Sequence, residues 1–313
     1  MKPPLVSVVI PVYNGEAFVE QTIASVSAQD YQALEILVID DGSTDNSLAV
    51  IGACPIGVPL RVLRQQNRGV AAARQTGVSA SAGEYVAFVD QDDWWREDKI
   101  AKQVELFQGD SSLALVHTRA AYYDQFSGAF VPPINSFATP HELVGHCYER
   151  LLMENLICNS TVMVRRSAFD AVGGFDLSIG GNTVADYALW LRLARKFTFG
   201  FLSEELAVFR LHPGQGTWRR EVMLRAELAL LNNEVPNSMR HSPRMRQRFA
   251  GLEEALGIAC LDGGNYSDAR SNLMRAWWDA PSLRRTGLCL ASTLPSRLVE
   301  RWRSSRAKRS IRR

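Results

Sequence analysis

The chain has 313 residues, 46% hydrophobic and 22% charged, ordinary values for a globular protein long enough to bury a large core beside a smaller one. Its 35 Lys and Arg against 33 Asp and Glu leave a formal charge of +2, which argues against a strongly basic nucleic-acid binder. Seven of the cations lie between Arg301 and Arg313 with no acid among them, so the preceding body carries about −5 and the basicity belongs to the tail.

Cys54, Cys147, Cys158, Cys260 and Cys289 are an odd set without metal-ligand spacing, which suits a reducing compartment. No apolar run approaches the roughly 18 residues of a membrane span. The short run after Lys2, cut by Pro11 and Asn14, is not a signal peptide. The expectation is a cytoplasmic protein, peripheral at the inner face of a membrane if its tail binds one.

The first hundred residues alternate strands and helices. Val6 to Ile10 is a β-branched apolar run suited to a strand buried on both faces. After the Asn14-Gly15 turn, Val19, Ile23 and Val26 share one helix face. Leu34 to Ile39 predicts a second buried strand and Leu60 to Leu63 a third. Val70 to Ala80 predicts a helix that Gly83 closes as a C-cap, followed by a strand over Tyr85 to Val89. Ile100, Val104 and Phe107 mark another helix. This order implies a mostly parallel sheet with helices on both faces.

The middle third predicts strands at Leu113 to Val116 and Thr161 to Val164, a helix over Asp186 to Lys196 and extended chain over Phe199 to Leu211. From about Trp218 the composition turns helical. Leu252, Leu256 and Ala259, then the Gly263-Gly264-Asn265-Tyr266 turn, then Ala269, Leu273 and Ala276, resemble one tetratricopeptide-like hairpin. Beyond it, Leu294, Leu298 and Trp302 line one face of a basic segment.

Three strand ends carry polar clusters: Tyr13-Asn14, Asp40-Asp41, and Asp90-Gln91-Asp92-Asp93. Open α/β sheets bind ligands outside the carboxyl ends of their strands, so these clusters should form one site. Asp40-Asp41 suits an Asx turn or helix cap as well as a carboxylate accepting from a base or ribose. Three carboxylates in four residues repel one another, which a hard cation with diphosphate oxygens would relieve. The alternative there is an acidic cap for the helix after Trp95. Arg68 and Arg74 suit a phosphate or a solvated helix face. Asp186 in a first helical turn complements the dipole whatever its role, and would need desolvation or acidic neighbours to serve as a base. His212, before Pro213-Gly214, is either structural or a metal ligand.

Together these segments closely resemble family 2 glycosyltransferases of the GT-A fold. The resemblance rests on Val9 to Asn14, Val38 to Asp45, Asn67-Arg68-Gly69 with Ala73-Arg74, and Phe88 to Trp94. It continues through Gly173-Gly174-Phe175-Asp176, Asp186 to Arg192, and Phe209-Arg210-Leu211-His212, covering roughly residues 4 to 215. It implies an α/β fold of GT-A type, with a Rossmann-like mostly parallel sheet and a small C-terminal helical region. It also implies an inverting transfer of sugar from a nucleotide-diphosphate donor to an acceptor hydroxyl, using Mg²⁺ or Mn²⁺.

On this resemblance Tyr13 and Asp41 hold the nucleobase, assisted by Asp40, and Asp90 contacts the ribose. Asp92 and His212 bind the metal, with Asp93 nearby, and Arg74 serves the base or phosphate region. Pro11 and Gln91 complete the donor side. Asp186 is the general base, supported by Trp190 and Arg192. The common Glu-Asp pair is here Ala185-Asp186, and a later acidic position is Ala188. The Q-x-x-R-W motif of processive synthases is absent, which favours single-residue transfer by a hexosyltransferase in cell-surface polysaccharide synthesis.

The expected organisation is a catalytic domain over 1–215, a helical region over 216–294 and a basic amphipathic tail over 295–313. The expected partners are a nucleotide-sugar donor, a glycan or lipid-linked acceptor and an anionic membrane surface reached by the tail, with no nucleic acid. A non-catalytic scaffold of the same fold is an alternative, with Ala185 and Ala188 in its favour. A sugar nucleotidyltransferase is another, although Pro11 to Gly15 replaces the basic Gly-rich loop such enzymes carry. No G-x-G-x-x-G follows a strand, which disfavours a dinucleotide-binding oxidoreductase.

Overall fold

Seven consecutive buried residues, Val6–Val12, form strand β1, the inner strand around which the first half of the sheet is laid. Residues 2–133, 143–178, 183–215 and 220–293 are described in the computed structural model. The chain divides into two compact units, Met1–Gln215 and Gly216–Arg313.

In the first unit, β1 is followed by α1 (Val19–Ser27), β2 (Leu34–Asp40), α2 (Ser47–Ala53), β3 (Leu60–Arg64), α3 (Val70–Ala80), β4 (Tyr85–Phe88) and β5 (Trp94–Trp95). Then come α4 (Lys99–Gly109), β6 (Leu113–Asp124), β7 (Ala129–Val131) and α5 (Tyr148–Met153). A 3-10 turn at Asn159–Thr161 leads into β8 (Met163–Arg165), α6 (Arg166–Ala171), α7 (Ala185–Lys196) and β9 (Thr198–Leu211).

The sheet order is β3-β2-β1-β4-β8-β6-β9-β5, with β7 paired to β6. The β3-β2-β1-β4 half is wholly parallel, as the alternating pattern predicts. Its carboxyl ends therefore share one edge. The other half is mixed: β8 runs antiparallel to both β4 and β6, β6 and β9 are parallel, and β5 is antiparallel to β9. The mostly parallel expectation thus holds for half of the sheet only. Apolar periodicity reports burial and not strand direction, so it could not foresee that β8 runs antiparallel to its neighbours.

Helix α3 lies against β1 because it is built from small residues. A Cβ at Gly77 would come within 2.4 Å of Val9 Cγ1 and 3.1 Å of Ile39 Cγ1. Gly77→Ala is therefore expected to destabilise the protein by roughly 1–3 kcal/mol through overpacking, against the gain that helix propensity alone would give. Urea denaturation of the variant checks the sign. Gly83 is not the cap of this helix, which ends at Ser81 in extended conformation. Its N–H donates to Ser7 Oγ, and a Cβ there would sit 2.5 Å from that oxygen.

The second unit is helical: α8 (Arg220–Glu234), α9 (Asn237–Arg240), α10 (Pro243–Gly263), α11 (Tyr266–Asp279) and α12 (Leu283–Ser292). The α10–α11 pair is the predicted hairpin. Gly264 takes the left-handed conformation at the end of α10, and the Asn265 side chain accepts from Asp268 N to cap α11. Leu256, Ala269 and Leu273 meet in its core. Leu294, Leu298, Trp302 and the rest of the 295–313 tail lie outside the described residues. Among the described residues no helix is long and apolar enough to cross a membrane.

Candidate active site

The strand-end clusters are tied to one another by side chains that clasp backbone. After β1, Asn14 turns the chain with φ of 50°, and its Oδ1 accepts from Thr44 N while its own N–H donates to Ser43 Oγ. The Gln91 amide accepts from Tyr13 N and donates to Tyr13 O, binding the third cluster to the first. Gln91 thus fixes the loop that presents Tyr13. Pro11 is buried inside β1, and the Tyr13 ring is 46% exposed at the edge.

The two aspartates after β2 divide their tasks. Asp40 makes the Asx turn, accepting from Ser43 N, and lies 3.1 Å from Arg64 Nε. Asp41, 3% exposed, accepts from Gln65 Nε2, Arg68 N and Gly69 N. Three of its roughly four acceptor sites are therefore occupied by the loop before α3. Gly69, with φ of 87°, is the turn that aims those N–H groups at the carboxylate. Asp41→Asn places an amide against donors and is expected to cost roughly 1–3 kcal/mol. Calorimetric melting of the variant measures it.

Helix α3 carries Arg74 inward. It is 5% exposed, and its Nη2 lies 2.5 Å from Asp90 Oδ1. Burial works against its charge, but Asp90 and Asp186 outweigh this and hold its pKa above the usual arginine value. Asp90 Oδ1 also accepts from Asn159 Nδ2. Asp186, in the first turn of α7, faces the same guanidinium. Burial pushes its carboxyl above the ordinary range and Asp90 adds to this, while Arg74 and the Tyr187 N–H pull the other way. Desolvation thus offsets the helix dipole, as a base near neutral pH requires.

Asp92 and His212 meet at the same edge, with Nε2 2.8 Å from Asp92 Oδ2 and both side chains partly exposed. A hard cation bound to substrate phosphates needs only one or two protein ligands, and imidazole is a common ligand of first-row metals. The pair fits such a cation. Among the described residues no three His, Cys, Asp or Glu side chains group to hold one, so any shell would be completed by donor oxygens and water.

Asp93 points elsewhere. It is 1% exposed and accepts from Ser160 Oγ and Arg210 N. Burial, with Asp92 and Asp90 beside it, raises its pKa well above the ordinary value. The acidic cluster does not cap the next helix, because β5 intervenes and α4 begins at Lys99. Trp190 is fully buried near Phe88, and the Arg192 guanidinium donates to Val172 O and Gly174 O. Arg192 thus braces the Gly173-Gly174-Phe175 turn, which Gln75 holds from α3 through Phe175 N.

Three residues lacked a local sequence signal for their positions. Asn159 and Ser160 come from the 3-10 turn; Ser160 Oγ accepts from Asp90 N and donates to Asp93. Arg210 is a hub, donating to Asp92 O, Gln125 Oε1 and Gln21 Oε1 and stacking over Phe18 and Trp94. Its neighbourhood within the Phe209 to His212 motif was the only pointer.

A family model described as "Glycosyl transferase family 2" matches residues 7–172, more than half of the chain. The Bacillus subtilis (strain 168) protein provisionally named teichuronic acid biosynthesis glycosyltransferase TuaG is 33% identical over 212 residues, 66% of this chain and 79% of that one. A solved mannosyltransferase, PcManGT from Pyrobaculum calidifontis in complex with GDP-Man and Mn²⁺, aligns with a TM-score of 0.63 at 20% identity, over 95% of this chain and 83% of that one. S. aureus TarS 1–349 in complex with UDP-GlcNAc aligns at 0.58 and 14% identity, over 96% and 92%. The chain spans about a third of the length of other curated relatives it matches, uncharacterized glycosyltransferases from Rickettsia.

Proposed function

The chain belongs to glycosyl transferase family 2, with the GT-A fold, and from that premise we propose the following reaction. The first unit moves a single sugar, with inversion, from a nucleoside-diphosphate sugar to a hydroxyl of a glycan or lipid-linked acceptor in cell-surface polysaccharide synthesis. The observation that carries the proposal is the buried guanidinium of Arg74. It pairs with Asp90 of the donor-side cluster at 2.5 Å and feels the charge of Asp186, on the helix that would face the acceptor.

Tyr13 offers an exposed ring for the nucleobase, and Asp41 shapes that pocket by fixing the loop through Gly69, with one acceptor site left for the base. Asp40 supports the same corner through its turn, and Pro11 and Gln91 set the height of Tyr13. Asp90, oriented by Arg74 and Asn159, has its other oxygen for the ribose. Asp92 and His212 would hold Mg²⁺ or Mn²⁺, which when bound neutralises charge on the leaving diphosphate. Asp186 Oδ takes the proton of the attacking hydroxyl on the face opposite the leaving group. Asp93 and Arg210 keep the Asp92 loop in place.

Incubation with UDP- and GDP-sugars plus Mn²⁺ tests this. Slow release of UDP or GDP is expected without acceptor, and inversion at the anomeric carbon is expected in the product by NMR. No nucleotide release, together with no metal-dependent nucleotide binding, would instead favour a scaffold. The basic 295–313 tail is proposed as the membrane-surface anchor. Full-length and 1–294 chains should then differ in co-sedimentation with anionic vesicles at low salt.

A further inference from the structure

The second unit contains a cavity of about 390 Å³ between α8, α9, α10 and α11, far in sequence from every residue of the transfer chemistry. That volume lies within the range of small-ligand sites. Its wall is unusually mixed. Trp278 stands at its rim with 80% of its surface exposed, and Phe249 forms part of the floor. Arg240 stacks on Phe249 at 5.3 Å and donates to Asn232 O and Asn232 Oδ1, so this side is rigid before any ligand arrives. Acidic and basic side chains share the remaining lining: Glu253 and Asp279 beside Arg246 and His241. Glu253 Oε2 is buried and has no hydrogen-bond partner among the described residues. Burial, then the charge of Asp279, pushes its carboxyl up to about 7, with Arg275 opposing.

We propose that this cavity is a second binding site for a neutral glycan, stacked on Trp278 and hydrogen-bonded by the carboxylates and arginines around it. An anion would suit Arg240 and Arg246 but leave Glu253 and Asp279 unmatched, and an alkyl chain would strand all of these groups without partners. A polyol satisfies both sets: its hydroxyls donate to the carboxyl oxygens and accept from guanidinium and imidazole N–H. An exposed indole supplies the flat apolar face that the C–H side of a sugar ring covers. That the polyol is a glycan and not another hydroxyl-rich molecule rests on the transferase reading. The site would hold the growing or acceptor saccharide while its end is processed elsewhere.

The test uses the full chain without donor or metal. Calorimetry is run with a panel of neutral trisaccharides built from hexose, N-acetylhexosamine and 6-deoxyhexose, with inorganic phosphate as competitor. At least one trisaccharide is expected to bind. Trp278→Ala should weaken it about tenfold, the upper end of what one stacked ring contributes. Glu253→Gln should weaken it as well, and phosphate should not compete. Trp278 is exposed, so its variant is expected to fold, and its melting curve verifies that. No trisaccharide binding, binding unchanged in Trp278→Ala, or displacement by phosphate would each overturn the inference. Donor hydrolysis by the wild-type chain is measured in parallel. Hydrolysis without trisaccharide binding removes this site alone, and trisaccharide binding with neither hydrolysis nor metal-dependent nucleotide binding removes the transfer reading alone.

Discussion

Asp186→Asn is expected to lower kcat about 10²–10⁴-fold, the range over which a positioned proton acceptor contributes. Donor affinity should stay close to wild type, because Asp186 lies on α7 and most of the residues proposed to face the nucleotide lie at the strand ends. Burial raises the Asp186 pKa, so the acid limb of the wild-type kcat/KM profile should lie above the ordinary carboxylate value. Activity should rise with pH through that limb as the base deprotonates. Arg74 lowers the pKa, so Arg74→Gln should move the limb further up. Stability carries the opposite sign. A carboxylate whose folded pKa exceeds its unfolded one costs stability once pH passes the unfolded value, in full above the folded value. Asp186→Asn removes that cost, so the dead variant should melt at or above the wild-type temperature. A lower melting point with proportionate loss of activity would make Asp186 structural and not the base.

The second large effect falls on the leaving-group side. Asp92→Ala should reduce transfer roughly 10³-fold or more, since charge stabilisation by a bound cation is worth several kcal/mol and each 1.36 kcal/mol is a decade. The variant should also lose metal dependence in what activity remains. Asp92 is partly exposed and its side chain meets His212, while the loop itself is held through backbone by Arg210 Nε on Asp92 O. Its truncation should therefore spare the fold. Asp93→Ala would behave differently. It removes the acceptor for Ser160 Oγ and Arg210 N at a buried point and should fail chiefly in melting. The contrast between neighbours separates a ligand-facing carboxylate from a strut.

Much of the parallel half of the sheet was legible because its signals are local. Continuous apolar runs ending in polar clusters specify buried parallel strands, and β1, β2 and β4 carry them within a few residues of the observed bounds. The Asp90 to Asp93 cluster was conspicuous because like charges that close require compensation. What each acid does was less legible. Asp41 suited a local turn or cap as well as a ligand, but it accepts from Gln65, Arg68 and Gly69 across some 24 to 28 residues of chain, a contact no local pattern encodes. Asn159 and Ser160 were invisible for the same reason: they reach Asp90 and Asp93 from about 70 residues away. In the second half of the sheet, β8 overlaps the strand predicted over Thr161 to Val164, but β5 has two residues, too few for a periodicity to register. Helix α2 has only seven residues, too few for an apolar face to register even though cap-type residues precede it.

Coupled binding of Mn²⁺ and a nucleoside diphosphate is the most direct test that acids from separate strand ends converge on one donor. Thermal melting of the wild-type and Asp92→Ala chains, each with UDP or GDP and with or without Mn²⁺, provides it. The wild type should gain stability with one of the two nucleotides only when Mn²⁺ is present, and Asp92→Ala should lose that gain. A shift that ignores the metal, or one that survives Asp92→Ala, would contradict the account.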